Sequence, residues 1–125
     1  MLKKRLSFTL LAVLCIALVG CANQTKPTTL PTGAIDQTDA TVYRVLTDAQ
    51  AFLTDIRAGS TSGKLVLSPA QKTTFNALVT SYDATESLWQ AYHAKASTDA
   101  AGLTASANTL NANLTSAQST ILGAQ

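Results

Sequence analysis

The chain has 125 residues, of which 13% are charged, and its formal net charge is +2 at pH 7. Three of the nine basic residues stand at positions 3–5, so the rest of the chain has six basic against seven acidic residues, a net charge of −1. A nucleic-acid partner requires a clustered basic face. The chain after the leader has no cluster of basic residues, which argues against nucleic acid as a partner. The length suffices for one small domain with a modest core. We therefore expect a single domain that does not bind nucleic acid.

The segment 1–20 has the pattern of an export signal. Three basic residues precede an apolar run over 6–19, and the small residue Gly20 comes directly before Cys21. A basic start, a short apolar stretch and a small residue before the cut are the features of a secretory signal peptide. An uncleaved transmembrane anchor is the alternative, but the run is shorter than the roughly 20 apolar residues that a spanning helix needs. Cleavage is the better interpretation, and the segment 1–20 is predicted to be removed.

The tetrapeptide Leu18-Val19-Gly20-Cys21 resembles the lipobox of bacterial lipoproteins. The resemblance is confined to the leader and Cys21. It implies cleavage before Cys21, alkylation of the thiol with diacylglycerol and, usually, acylation of the new amine with a fatty acid such as palmitate. Two acyl chains are enough for stable anchoring. The resemblance thus implies a protein of the bacterial cell envelope whose membrane partner is reached through the lipid on Cys21.

Two further residues bear on the location. Ala22 is not the aspartate associated with inner-membrane retention in enterobacterial lipoproteins, so the outer membrane, facing the periplasm, is favoured in a Gram-negative host. The chain ends at Gln125, without the terminal lysine of the major peptidoglycan-linked lipoproteins, so covalent attachment to the wall is not expected. Cys15 leaves with the leader. With Cys21 lipidated, disulfides, thiolate catalysis and cysteine-ligated metals are excluded for the mature chain.

Residues 21–35 are predicted to form the lipidated cysteine and a flexible tether. Pro27, Pro31 and Gly33 interrupt this segment, and few of its residues are apolar. Fully stretched, it would reach on the order of 40 Å. The bundle proper is therefore expected to occupy residues 36–125.

The first predicted helix covers about 38–58, because apolar residues recur there at steps of three and four. Asp36 or Asp39 can cap its start. Gly59 suits a left-handed residue at its end. The apolar residues of this stripe are Val42, Val45, Leu46, Ala49, Phe52, Leu53 and Ile56.

The second predicted helix covers about 69–97. Ser68 as N-cap, Pro69 at the first helical position and Gln71 three residues after the cap form a capping-box pattern. Thr85 and Glu86 interrupt its apolar stripe. The stripe consists of Phe75, Leu78, Val79, Tyr82, Trp89 and Tyr92.

The third predicted helix covers about 99–122, capped by Thr98 or Asp99, and it has a heptad seam. The short connection before it makes the second and third helices antiparallel neighbours. We therefore predict an all-α fold, an up-down-up three-helix bundle. The seam consists of Leu103, Ala107, Leu110, Leu114, Ala117 and Ile121.

The outer face of the third helix is uncharged, since no charged residue follows Asp99. A long coiled-coil oligomer favours charged flanking positions, so the seam agrees better with packing inside one bundle. An uncharged face lacks charge repulsion and can contact an envelope protein, a second copy or cell-wall glycan. The alternative is an ordinary exported surface of low charge, since polar helix faces are common.

Four further candidate ligand or partner contacts lie on the second helix. Trp89, Tyr92 and His93, with Tyr82 one heptad earlier, could line an aromatic groove, although aromatic residues at such spacing more often pack in a core. His93 is predicted to be a solvated surface imidazole, because Glu86 is two turns away and no metal or triad partner is near in sequence. We predict no catalytic residue, no metal site and no cofactor.

Three classes of function remain open from the sequence. The leading one is a non-enzymatic, membrane-anchored lipoprotein that serves as a helical interaction or structural module. The second is a carrier of a small apolar ligand that uses Tyr82, Trp89 and Tyr92. An enzyme comes last, because one histidine without a nucleophile-base pair does not satisfy the usual requirements of an active site.

Overall fold

The computed structural model describes residue 30 and residues 32–123. The predicted leader, its cleavage site, Cys21 and most of the predicted tether lie outside the described residues. The described part contains three long helices: α1, Gln37–Thr61; α2, Pro69–His93; and α3, Ala100–Ala117. A five-residue π-helical turn, Gln118–Leu122, continues α3.

The helices run up, down and up. Asp39 near the start of α1 bonds His93 at the end of α2, while Arg57 near the end of α1 lies over the ring of Phe75, 5.9 Å from its centre. Thr85 of α2 bonds Ser106 of α3. Further along, Gln71 near the start of α2 donates to the carbonyl of Thr120 after α3. These pairs make α1 and α3 both antiparallel to α2, which confirms the predicted all-α fold.

The core follows most of the predicted stripes. All seven predicted residues of the α1 stripe are buried, as are all six residues of the α3 seam. The α2 stripe differs, since Leu78 and Tyr92 are buried but Phe75 and Val79 are half-buried at the edge of the core. Thr85, which the sequence predicts to interrupt the buried stripe of α2, is fully buried between α2 and α3. The prediction was wrong there because hydrogen bonds, rather than apolar contacts, satisfy this position.

The helix starts agree with the predicted caps. Asp36 caps α1 by accepting the Asp39 N–H at 2.8 Å. Ser68 and Gln71 form both bonds of the capping box at α2. Asp99 caps α3 by accepting the Gly102 N–H at 2.9 Å. Each cap satisfies an N–H that the first turn of a helix leaves without an intrahelical partner.

The predicted ends of α1 and α2 were wrong. Gly59 is helical, and α1 continues to Thr61; the left-handed residue is Gly63, with φ +72°. The second helix ends at His93 rather than at residue 97. There Lys95 takes φ +60°, its N–H bonds the Tyr92 carbonyl, and the Ala96 N–H bonds the Ala91 carbonyl. This is the Schellman arrangement, which an L-residue forms against a conformational cost that glycine avoids.

The loop between α1 and α2 covers one end of the core in part. Leu65 and Leu67 pack against the core, but Val66 between them is 85% exposed. None of the helices in residues 32–123 is long and apolar enough to cross a membrane.

Candidate functional site

The start of α1 and the end of α2 meet at the end of the bundle where the chain enters. Two carboxylates and three rings lie together there. Asp36, Asp39 and Tyr43 come from α1 and its cap, and Trp89 and His93 come from the last two turns of α2. The antiparallel register produces this meeting, because it places the first turns of α1 beside the last turns of α2.

Asp39 and His93 form the central polar pair. The His93 Nδ1 atom lies 2.9 and 3.0 Å from the two carboxylate oxygens of Asp39. The Asp39 side chain is 2% exposed and that of His93 is 41% exposed. A carboxylate only accepts, so we assign the proton to Nδ1. The Ile35 N–H donates to the same carboxylate at 2.9 Å, so the buried oxygens are satisfied.

His93 lies at the surface as predicted, but it is not simply solvated, because Asp39 bonds its ring. The imidazole is hydrogen-bonded on one side and stacks on Trp89, with ring centres 5.0 Å apart. The sequence pattern relates His93 only to residues of its own helix, where Glu86 is two turns away and too distant to bond it. The partner lies on α1, far away in the chain, and only the bundle register connects the two.

Tyr92 and Asp36 form a second polar pair. The Tyr92 hydroxyl donates to the Asp36 carboxylate at 2.6 Å. The Asp39 N–H and this hydroxyl lower the pKa of Asp36, because both bonds favour the ionised carboxylate. The bond to Asp36 also raises the pKa of Tyr92, with burial adding to the effect. Tyr92 thus belongs to the core and to the α1 cap.

Trp89 contacts two other rings. The ring centres of Trp89 and Tyr43 are 5.4 Å apart, and the rings of Trp89 and His93 are stacked with their centres 5.0 Å apart. The indole is half-buried, and its Nε1–H is inaccessible and has no hydrogen-bond partner among the described residues. Tyr43 is 57% exposed, so this group of rings reaches the surface.

Tyr82 is separate from this group. It lies one heptad before Trp89, is half-buried and approaches Glu86 at 3.5 Å. Burial is the main cause that raises the pKa of Tyr82. The close ring pairs among the described residues are Tyr43 with Trp89 and Trp89 with His93. Of the four predicted contact residues, the structure brings Trp89 and His93 into ring contact.

Three members of the site were not predicted as contacts. Asp36 and Asp39 were considered only as caps, and Tyr43 was not singled out. For Asp39 and Tyr43 a signal exists in their i, i+4 spacing, which places them on one face of α1. The same spacing joins Trp89 and His93 on α2.

A shallow groove of about 330 Å³ lies between α1 and α3. Val42, Val45 and Ala107 contribute apolar surface to it, and hydroxyl and amide groups surround them. The uncharged polar residues are Gln37, Thr38, Thr41, Thr104, Asn108 and Asn111. The groove therefore offers neutral hydrogen-bonding groups beside an apolar surface.

Within residues 32–123, no group of three or more His, Cys, Asp or Glu side chains is placed to hold a metal ion. No protein-family model, curated protein or solved structure matches the chain.

Proposed function

We propose that this protein is a bacterial envelope lipoprotein, anchored by lipid on Cys21, whose helical bundle is a non-enzymatic interaction or structural module. The observation that carries the proposal is the tetrapeptide Leu18-Val19-Gly20-Cys21 at the end of a basic and apolar leader. Only the short segment 22–35 separates Cys21 from Asp36, the cap at which the bundle begins. That short separation supports a domain tethered close to the membrane.

The surface of the bundle supports the interaction role. All residues from 100 onward are uncharged, and the exposed side of α3 has small residues, hydroxyls and amides. The groove between α1 and α3 continues this chemistry onto Thr41 and Gln37. Such a surface can approach an envelope protein, a second copy or neutral glycan without desolvating a charge, which is the costly step in many interfaces.

The contacts of the aromatic residues favour packing over the carriage of a small apolar ligand. Tyr92 is buried, and its hydroxyl is engaged by Asp36. Trp89 already contacts the rings of Tyr43 and His93. A ligand that used these residues would have to displace contacts that hold α1 against α2.

The anchor is tested by comparing the wild-type chain with Cys21→Ser and with Cys15→Ser as the matched control. Expressed in a bacterial host, the wild-type and Cys15→Ser chains should incorporate a labelled fatty acid and sediment with membranes. Cys21→Ser should do neither once removal of the leader has been verified by mass spectrometry. Fatty-acid labelling of Cys21→Ser, or an unlipidated wild-type chain, would overturn the proposal.

The module is tested with a photo-crosslinking residue in the lipidated protein. Position 108 lies in the α1–α3 groove, and position 72 is an exposed site on α2 that serves as the control. A discrete adduct from position 108 alone supports an interface on α3. Equal adducts from both positions, or none, would contradict it.

A further inference from the structure

A partly apolar surface lies at the end of the bundle where the chain enters α1. We call it the aromatic shelf and define it by Ile35, Tyr43, Trp89 and His93. Ile35 is 38% exposed and Tyr43 is 57% exposed. The Tyr43 ring contacts the Trp89 ring, and the backbone N–H of Ile35 bonds Asp39, the partner of His93.

The aromatic shelf is held in place by its own contacts. The Asp39 carboxylate accepts from the backbone of Ile35 and from the ring of His93. The Trp89 ring contacts the rings of both His93 and Tyr43. These bonds and stacked rings order the surface before anything binds, which lowers the entropic cost of docking.

The short chain segment before the aromatic shelf indicates which surface lies close to the shelf. Only the segment 22–34 separates Ile35 from Cys21. Even fully extended, that length spans on the order of 40 Å. A connection of this length gives an effective concentration on the order of millimolar, so weak docking is sufficient. If Cys21 carries lipid, the surface held closest to this end of the bundle is the membrane itself.

The residue types of the shelf fit that surface. Tryptophan and tyrosine combine an apolar ring with a polar group, and they are enriched where hydrocarbon meets water. We propose that the aromatic shelf docks on the headgroup region of the membrane that holds the Cys21 lipid, an inference that rests on the proposed anchor.

Trp89 provides a built-in probe, because it is the only tryptophan in the chain. The lipidated mature protein is reconstituted into phosphatidylcholine vesicles, with or without bromine atoms close to the headgroup end of the acyl chains. Bromine quenches tryptophan only at short range. Docking predicts that Trp89 loses most of its emission in the brominated vesicles and keeps it in the plain ones.

Substitutions then assign the contact to the shelf. Tyr43→Ser and Ile35→Ser remove exposed side chains, so both variants should remain folded by circular dichroism while losing most of the quenching. Leu88→Ser is the matched control, because Leu88 is 46% exposed and stands one helical turn from Thr85, on the side of α2 that faces α3. It should be quenched like the wild type.

Flotation of the same samples separates the two proposals. If the wild-type protein does not float with vesicles, the lipid anchor fails and the docking fails with it. If it floats but is quenched no more by brominated than by plain lipid, the anchor stands and the docking is refuted. Equal quenching of Tyr43→Ser, Ile35→Ser and wild type would also refute it. So would a Trp89 emission shift that depends on protein concentration without vesicles, since a second copy would then cover the shelf.

Discussion

The buried hydroxyl of Thr85 allows a quantitative prediction of how much its hydrogen bonds across the α2–α3 interface stabilise the fold. Its Oγ1 atom lies 2.8 Å from the Ser81 carbonyl, 2.8 Å from the Ser106 hydroxyl and 3.2 Å from the Ser106 carbonyl. A hydroxyl has one proton to donate and two lone pairs. Thr85 therefore makes two good bonds here, one donated to a carbonyl and one accepted from Ser106.

The magnitude follows from that count. Thr85→Val keeps the shape and removes two hydrogen bonds at about 1 kcal/mol each. The added methyl group recovers about 0.8 kcal/mol of apolar burial. The net cost is about 1–2 kcal/mol, since Ser106 is also left without this partner. In the double variant Thr85→Val/Ser106→Ala both groups are apolar, and the total cost should fall below the sum of the single costs by about 1 kcal/mol.

Urea unfolding followed by circular dichroism measures the free energy of unfolding of the wild type, the two single variants and the double variant. Each change of about 1 kcal/mol should also move the midpoint of thermal unfolding by about 4–8 °C in a domain of this size. Thr73→Val is the control, because its hydroxyl makes the same kind of bond to a helix carbonyl, that of Pro69, at an exposed position. Additive single effects, or a cost for Thr85→Val no larger than for Thr73→Val, would refute the reasoning.

Three further predictions test other parts of the fold. Leu110 is fully buried and Asn111 is exposed, so Leu110→Ala should cost about 2–5 kcal/mol and Asn111→Ala less than about 0.5 kcal/mol in thermal melts. Equal losses would mean that the α3 seam is misassigned. Lys95→Gly should raise the free energy of unfolding by about 0.5–1 kcal/mol, because glycine avoids the cost of the left-handed conformation but loses more entropy on folding; an unchanged urea midpoint would contradict it. The lowered pKa of Asp36 gives stability that is present above about pH 3.8 and is lost as the pH falls through the folded-state pKa. Tyr92→Phe should therefore be less stable than wild type at neutral pH by a margin that shrinks in acid, and a margin independent of pH would argue against the Asp36 bond.

Helix positions and caps could be predicted from the sequence because their determinants are local. The α3 seam repeats at steps of three and four, and Ser68 with Gln71 specifies the start of α2 within a single turn. The ends of the helices were harder to predict. Lys95 takes the left-handed position at the end of α2 even though glycine is the residue type that signals such a position.

The candidate site could be predicted only in part. Trp89 and His93 were identified from α2 alone, but their contacts with Asp39 and Tyr43 depend on which turns of two helices lie side by side. Thr85 shows the same limit, because periodicity detects apolar side chains and cannot detect a hydroxyl whose partner is on another helix. Both cases require the register between helices, which a single-helix pattern does not contain.

Gln71, the glutamine of the capping box, restricts which residue types position 71 of this bundle can accept. The Gln71 side chain accepts the Ser68 N–H with its oxygen and donates to the Thr120 carbonyl with its nitrogen, at 2.8 and 3.2 Å. Glutamate serves equally well in an ordinary capping box. Here it would keep the first bond and place a carboxylate against a carbonyl oxygen instead of the second. One amide thus ties the beginning of α2 to the turn after α3, so position 71 needs both a donor and an acceptor where the local motif alone needs only an acceptor.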